Sequence, residues 1–267
     1  MTPPTPQIGD LQLALSVALV LTAGAISALL RLGLLGSLLW GTVRTFLQLS
    51  LIGYALTYVF AIDHPLLVAA LVAAMCAIAA HAAVQRTSHV PFRPYGLALV
   101  ALAASTYLVG ALVCAVIISA ERWHTARVVI PICGMILGNS LNGISLSLDR
   151  FFAEVRSGAP EIEQRLCLGY SPWEAVRPQL RAALRAGMLP MINALMVVGV
   201  VSLPGMMTGQ ILAGAPPLLA VRYQIVVMMM LAAAVAIGCL LLVGLTYRRC
   251  FTADEALLPA LLEGRRR

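Results

Sequence analysis

Apolar residues in this chain gather into long uninterrupted blocks instead of alternating with polar ones. Seven blocks can be drawn: Leu11–Leu30, Thr42–Ala61, Pro65–Val84, Tyr95–Ser119, Val128–Leu148, Met188–Leu203 and Leu218–Tyr247. About 20 mostly apolar residues in a helix cross the roughly 30 Å of hydrocarbon in a bilayer, so each block predicts one spanning helix. The sixth block is short and the last is long. Leu32–Trp40 reads either as an interfacial or re-entrant stretch or as the start of a longer second span. The pattern therefore predicts an all-α polytopic membrane protein of about seven transmembrane helices. One transmembrane domain is expected over residues 11–250, with a short tail (1–10) before it and a basic tail (251–267) after it.

Composition agrees and then narrows the chemistry. Of 267 residues, 61% are hydrophobic and only 11% are charged, whereas soluble domains run about half apolar and about a quarter charged. The net charge is +7, and all 18 basic residues are arginine. A lysine-free chain has neither the lysine of a phosphate-binding P-loop nor an amine for Schiff-base chemistry. If ATP drives its work, another chain must hydrolyse it. A GC-rich genome is an alternative source of the arginine bias. Cys76, Cys114, Cys133 and Cys239 lie in apolar blocks, and none of these or of Cys167 and Cys250 forms a C-x-x-C pair. They read as small hydrophobes and not as disulfide or zinc partners.

The arginines flank the spans, which points to membrane topology and away from nucleic acid. The first block is preceded only by Asp10 and followed by Arg31; a cleaved signal peptide carries its positive charge on the other side. An outside N-terminus and seven spans leave the C-terminus in the cytosol. On that scheme the inner flanks hold Arg31, Arg44, Arg86, Arg93, Arg150, Arg156, Arg165, Arg177, Arg181, Arg185, Arg248, Arg249 and Arg265 to Arg267. The outer side holds Arg122 and Arg127, with Arg222 at the outer end of the last span. That asymmetry obeys the positive-inside rule and predicts an inner-membrane protein with its N-terminus outside and its C-terminus in the cytosol.

Asp149–Gly187 is then the largest cytosolic segment. Pro160–Leu168 predicts a short helix, opened by proline and closed by Gly169. Ser171, Pro172 and Glu174 predict the capped start of a second short helix, with Trp173 exposed at the elbow between the two. Glu163, Gly169, Ser171, Pro172, Trp173 and Glu174 resemble the EAA loop of ABC-transporter permeases, where a Glu precedes a Gly and a turn into a short helix. That resemblance implies a coupling helix pair that docks in a cleft of the ATPase. Gln164 and Arg165 stand where that loop has paired alanines, and Leu189-Pro190 comes later than in importers. A surface helix pair with ordinary caps is the other explanation. Arg177, Arg181 and Arg185 recur at i, i+4 and i+8 and form one stripe, suited either to anionic lipid headgroups or to an acidic ATPase surface.

Polar groups inside spans are costly and face other helices or a water-filled path. Gly134 and Gly138 are spaced for a close helix crossing. Asn139 and Asn142 share a face of the same span; Asn193 lies in the sixth and Gln224 in the last. Interhelical glue and a substrate path both account for them. Between the last two spans, Val201–Gly214 holds Pro204, Gly205, Met206, Met207, Gly209 and Gln210. It is too apolar for an ordinary loop and too rich in Gly and Pro for a regular helix. A re-entrant gate is expected there, since irregular backbone at membrane depth needs protein or a cavity around it. Leu203 to Leu212, followed by Tyr223-Gln224-Ile225, resembles the FetB (YbbM) family of bacterial ABC permeases, a likeness that runs from about residue 11 to 250. The resemblance implies a homodimer paired with a separate FetA-like ATPase, ATP and Mg bound on that partner, no cofactor in this chain, and a role in iron export and metal homeostasis.

The residues add little support for iron. Hard and borderline metals favour carboxylate and imidazole ligands, yet no Asp or Glu falls within these blocks and His81 stands alone in one. Met206, Met207 and Met228 to Met230 suit a soft metal or flexible packing. A secondary transporter normally uses intramembrane carboxylates. An intramembrane metalloprotease would carry H-E-x-x-H, while His64, His81, His89 and His124 are scattered. A permease for a nucleotide sugar or conjugate, or a noncatalytic channel or scaffold, remains as the alternative.

Overall fold

The computed structural model describes residues 9–87, 92, 94–117 and 125–262. Arg93, Arg122, His89, His124 and Arg265 to Arg267, which bear on topology and metal binding, lie outside them. Seven described helices are long and apolar enough to cross a membrane, and the protein is all-α. The chain divides into two compact units, one up to Asp63 with Leu212–Ala215 and one from His64 to Ile211 and from Pro216 onward.

The first unit is a helical hairpin of α1 (Asp10–Leu29) and α2 (Leu35–Ile62). Ser27 organises its turn: its carbonyl accepts from Leu32 N at 2.9 Å and its Oγ accepts from Leu34 N at 3.1 Å. Arg31 and Gly33 adopt positive φ there. The α2 helix begins at Leu35, so the 32–40 stretch belongs mostly to a longer second span, and Arg44 lies inside that helix. Within this unit α2 buries no residue. Its long apolar side chains are left for a nonpolar solvent.

The second unit contains α3 (Pro65–Gln85), α4 (Tyr95–Leu112) ending in a π-helical turn (Val113–Ile117), α5 (Ala126–Ser157), α6 (Ala159–Cys167), α7 (Pro172–Val197), all but the last residue of α8 (Gly205–Leu212), α9 (Pro217–Arg248) and α10 (Pro259–Leu262). Helices α3 and α4 run antiparallel, with Tyr95 Oη donating to Ala77 O at 3.4 Å and Tyr107 Oη to Ala69 O at 3.1 Å. The central helix is α5, which packs on α3, α4, α7 and α9. Its 32 residues extend about 48 Å at 1.5 Å each, well beyond the hydrocarbon. The surplus turns carry Asp149, Arg150, Glu154 and Arg156. Phe151, Phe152 and Ile162 are fully buried where α6 folds back against them.

Three expectations change. The sixth span is not Met188–Leu203. Instead α7 runs unbroken from the capped elbow at Pro172 to Val197, so the second elbow helix is long and continuous with the membrane. The segment after Pro204 is not irregular: Gly205–Leu212 is a regular helix. The irregular part is the turn before it, where Gly199 has φ +85°. There Val197 O accepts from the amides of Val200, Val201 and Ser202, at 3.3, 2.9 and 3.3 Å. The amides of this turn are thus satisfied within it.

The third change concerns the close crossing. A Cβ on Gly138 would meet nothing within 4 Å, and one on Gly134 only Met75 Cε at 3.5 Å. The tight approach is at Gly143, Gly187 and Cys239, on α5, α7 and α9. A Cβ on Gly187 would lie 2.6 Å from Gly143 O and 3.0 Å from Cys239 Sγ, and would collide with Ser147 Oγ. Helices in lipid associate through packing of this kind, because hydrocarbon supplies no hydrophobic drive between them.

Candidate functional site

The elbow is built by two terminal motifs in succession. At the end of α6, Gly169 N donates to Leu166 O at 3.0 Å and Tyr170 N to Arg165 O at 3.1 Å. This is a Schellman closure, which needs a left-handed residue at its centre; Gly169 supplies it with φ +86°. Two residues later Ser171 caps α7. Its Oγ accepts from Glu174 N at 3.4 Å, while Glu174 Oε2 accepts from Ser171 N at 3.0 Å and from Ser171 Oγ at 2.6 Å. Pro172 fills the first turn, where its missing N–H costs nothing. Trp173 stays 46% exposed, with its inner edge against Tyr247 of α9 at 5.2 Å between ring centres. Arg165 ties the two helices, pairing with Glu161 at 2.6 Å and donating to Ala175 O at 3.4 Å.

Glu163, Gly169, Ser171 and Glu174 line one cleft of about 730 Å³, and Asp254 and Glu255 line it with them. Sequence reasoning missed those two acids, although an acidic pair inside an otherwise basic tail was the available signal. The segment they occupy is folded. A turn closes between Phe251 and Leu257, Thr252 N donates to Ala256 O at 2.8 Å, and Leu257 and Leu261 are buried. The elbow therefore presents two carboxylate-bearing edges and an aromatic ring on a backbone held by caps.

The residues expected along a substrate path separate into distinct places. Pro204, Met207 and Gln224 come together on a cavity of about 510 Å³ between the turn and α9, with Leu195, Val198, Leu203, Val221, Ile225, Met228 and Met229. Gln224 is buried, and its Oε1 has no hydrogen-bond partner among the described residues. Gly205, Met206, Gly209, Gln210 and Tyr223 lie outside that lining. Gly205 and Gly209 are exposed with open space around them. Asn142 sits elsewhere, accepting from Arg86 Nη1 at 2.8 Å in a groove of about 290 Å³ that Ser145, Leu146 and Asp149 complete. Asn139 turns its amide back to Met135 O at 2.9 Å, and Asn193 is exposed on α7. The path residues do not form one continuous lining within this chain.

The described residues contain no group of three or more His, Cys, Asp and Glu side chains that could hold a metal. The cysteines in the apolar blocks are buried and free, as small hydrophobes would be.

Comparison with known proteins places this architecture. The chain is 40% identical over 238 residues to a UPF0014 membrane protein of Synechocystis sp., covering 88% of this chain and 92% of the relative. It is 33% identical over 251 residues to the "Probable iron export permease protein FetB" of Escherichia coli, covering 94% and 95%. It is 32% identical over 244 residues to the protein ALUMINUM SENSITIVE 3 of Arabidopsis thaliana, covering 91% and 88%. No solved structure matches. The model of the uncharacterised protein family UPF0014 matches residues 10–251, and with these full-length likenesses the chain belongs to that family of membrane proteins, of which FetB is a relative.

Proposed function

We propose that this chain is the membrane-spanning permease subunit of an ABC transporter, working as a homodimer on a separate ATPase and exporting iron. The observation that carries the coupling role is the elbow. A Schellman closure at Gly169 and a capping box at Ser171 and Glu174 hold Trp173 outward at the tip of α7. The same helix runs on into the bilayer as far as Val197. A push on the elbow by a partner is then transmitted about 39 Å along one helix of 26 residues. Iron is carried over from the Escherichia coli relative, a probable iron export permease, and the inner-membrane placement rests on the arginine asymmetry.

Two experiments test this. Affinity purification of the tagged chain from its own host is expected to recover an ATPase subunit, and Gly169→Val or Trp173→Ala is expected to leave ATPase binding detectable but uncouple hydrolysis from transport. Unchanged coupling in both variants would remove the elbow from the mechanism. For substrate, vesicles containing the complete complex are expected to move iron only with ATP. A second possibility is an organic conjugate with an apolar portion, which the apolar lining of the Gln224 cavity favours over a charged nucleotide sugar. ATP-dependent flux of such a compound with none of iron would select it.

A further inference from the structure

One charged surface is not accounted for by the transport proposal. On the face of α7 that bears the arginine stripe lies a cleft of about 610 Å³, lined by Arg165, Arg177, Arg181 and Arg185 with Glu174 at its edge. Arg177, Arg181 and Arg185 are exposed. Like charges at i, i+4 spacing repel along a helix, so the stripe needs anions nearby. The chain does not bring enough of them. Glu174 has one carboxylate oxygen committed to the Ser171 cap, and Glu161 is taken by Arg165. Among the described residues no carboxylate forms an ion pair with Arg177, Arg181 or Arg185.

The position of the stripe selects the anion. Because α7 is one helix, Arg185 is its last charge, and from Ala186 to Val197 it is apolar apart from Asn193. Counted outward from the apolar run, Arg185 to Arg177 spans about 12 Å of helix; a headgroup layer about 5–8 Å deep per leaflet would take in Arg185 and Arg181 and leave Arg177 at its outer edge. Guanidinium groups match phosphate oxygens in a bidentate fork. We infer that this cleft binds the phosphate headgroup of an anionic phospholipid, with Arg185 and Arg181 on the phosphate and Arg177 supplying the outer field. A lipid held there fixes the height of α7, and with it the elbow, against the membrane surface. The inference needs only that α7 enters the bilayer, so it stands or falls separately from the ATPase and the substrate.

The test uses the full-length protein, purified and reconstituted in nanodiscs with equal phosphatidylglycerol and phosphatidylcholine, then released for native mass spectrometry. Retained phosphatidylglycerol is expected to exceed phosphatidylcholine several-fold, and the excess is expected to vanish in Arg181→Gln/Arg185→Gln. Arg150→Gln, an exposed arginine paired with Glu154, is expected to keep the excess and serves as the control for charge loss alone. If the double variant is unstable, Arg177→Gln and Arg185→Lys are measured instead, and a graded loss is expected. Equal retention of the two lipids, or an excess unchanged by the arginine variants, would overturn the site. Displacement of the lipid by millimolar inorganic phosphate would reassign the cleft to a free anion. Unchanged lipid retention with loss of a co-purifying protein would reassign it to an acidic partner surface.

Discussion

At Gly187 a single hydrogen in place of a methyl group decides whether three helices can meet. The closeness of Gly143 O and Ser147 Oγ leaves no room for a methyl group, and backbone cannot retreat as a flexible side chain would. Gly187→Ala is expected to lower stability in detergent by roughly 1–3 kcal/mol, as overpacking does, read as a shift in thermal unfolding. Gly138→Ala, in open space, is expected to unfold with the wild type. Equal shifts would place the crossing elsewhere. Single residues were legible in the sequence only by type: Gly134 and Gly138 had the favoured spacing, but Gly143 and Gly187 lie on different helices, and no local spacing couples them. The cysteines follow the same logic. Burial pushes the Cys250 thiol up to about 12, far above a free thiol, whereas Cys167 is exposed.

At the scale of elements, the elbow was the most readable part. Caps are local: Gly169, Ser171 and Glu174 act within a few residues of themselves, so their order along the chain specifies the turn. Ser171→Ala is expected to cost about 1 kcal/mol and Gly169→Ala roughly as much through its left-handed backbone. Both should show as faster amide exchange confined to residues 165–175. What the sequence did not reveal is how far the second helix continues. Polar residues from Arg177 to Arg185 looked like a loop helix ahead of a separate span. Helical hydrogen bonding is indifferent to that change of solvent, so α7 passes through it. The acid pair Asp254 and Glu255 reaches the elbow only because Leu257 and Leu261 bury themselves and fold the tail back.

For the whole molecule, orientation is the property with the most direct check. A membrane-impermeant maleimide is expected to label Cys167 in inverted vesicles and to spare it in intact cells, leaving the buried cysteines unmodified in both. Labelling of Cys167 from outside intact cells would reverse the proposed topology. Both units leave apolar helix faces exposed, as lipid or a second copy of the chain requires. An Asn142 amide and the Arg86 guanidinium on an exposed groove favour protein or water at that place over hydrocarbon.

Block hydrophobicity and local capping already specified the class of molecule, the number of spans and the caps that shape the elbow. Each of these follows from block hydrophobicity or from interactions a few residues long. Tertiary structure alone decided which glycines touch, that α7 is one helix, which of the expected path residues share the Gln224 cavity, and that Arg165 joins Arg177, Arg181 and Arg185 in one cleft. Those are contacts between segments far apart in the chain, and packing in the folded state sets them where composition and periodicity carry no information.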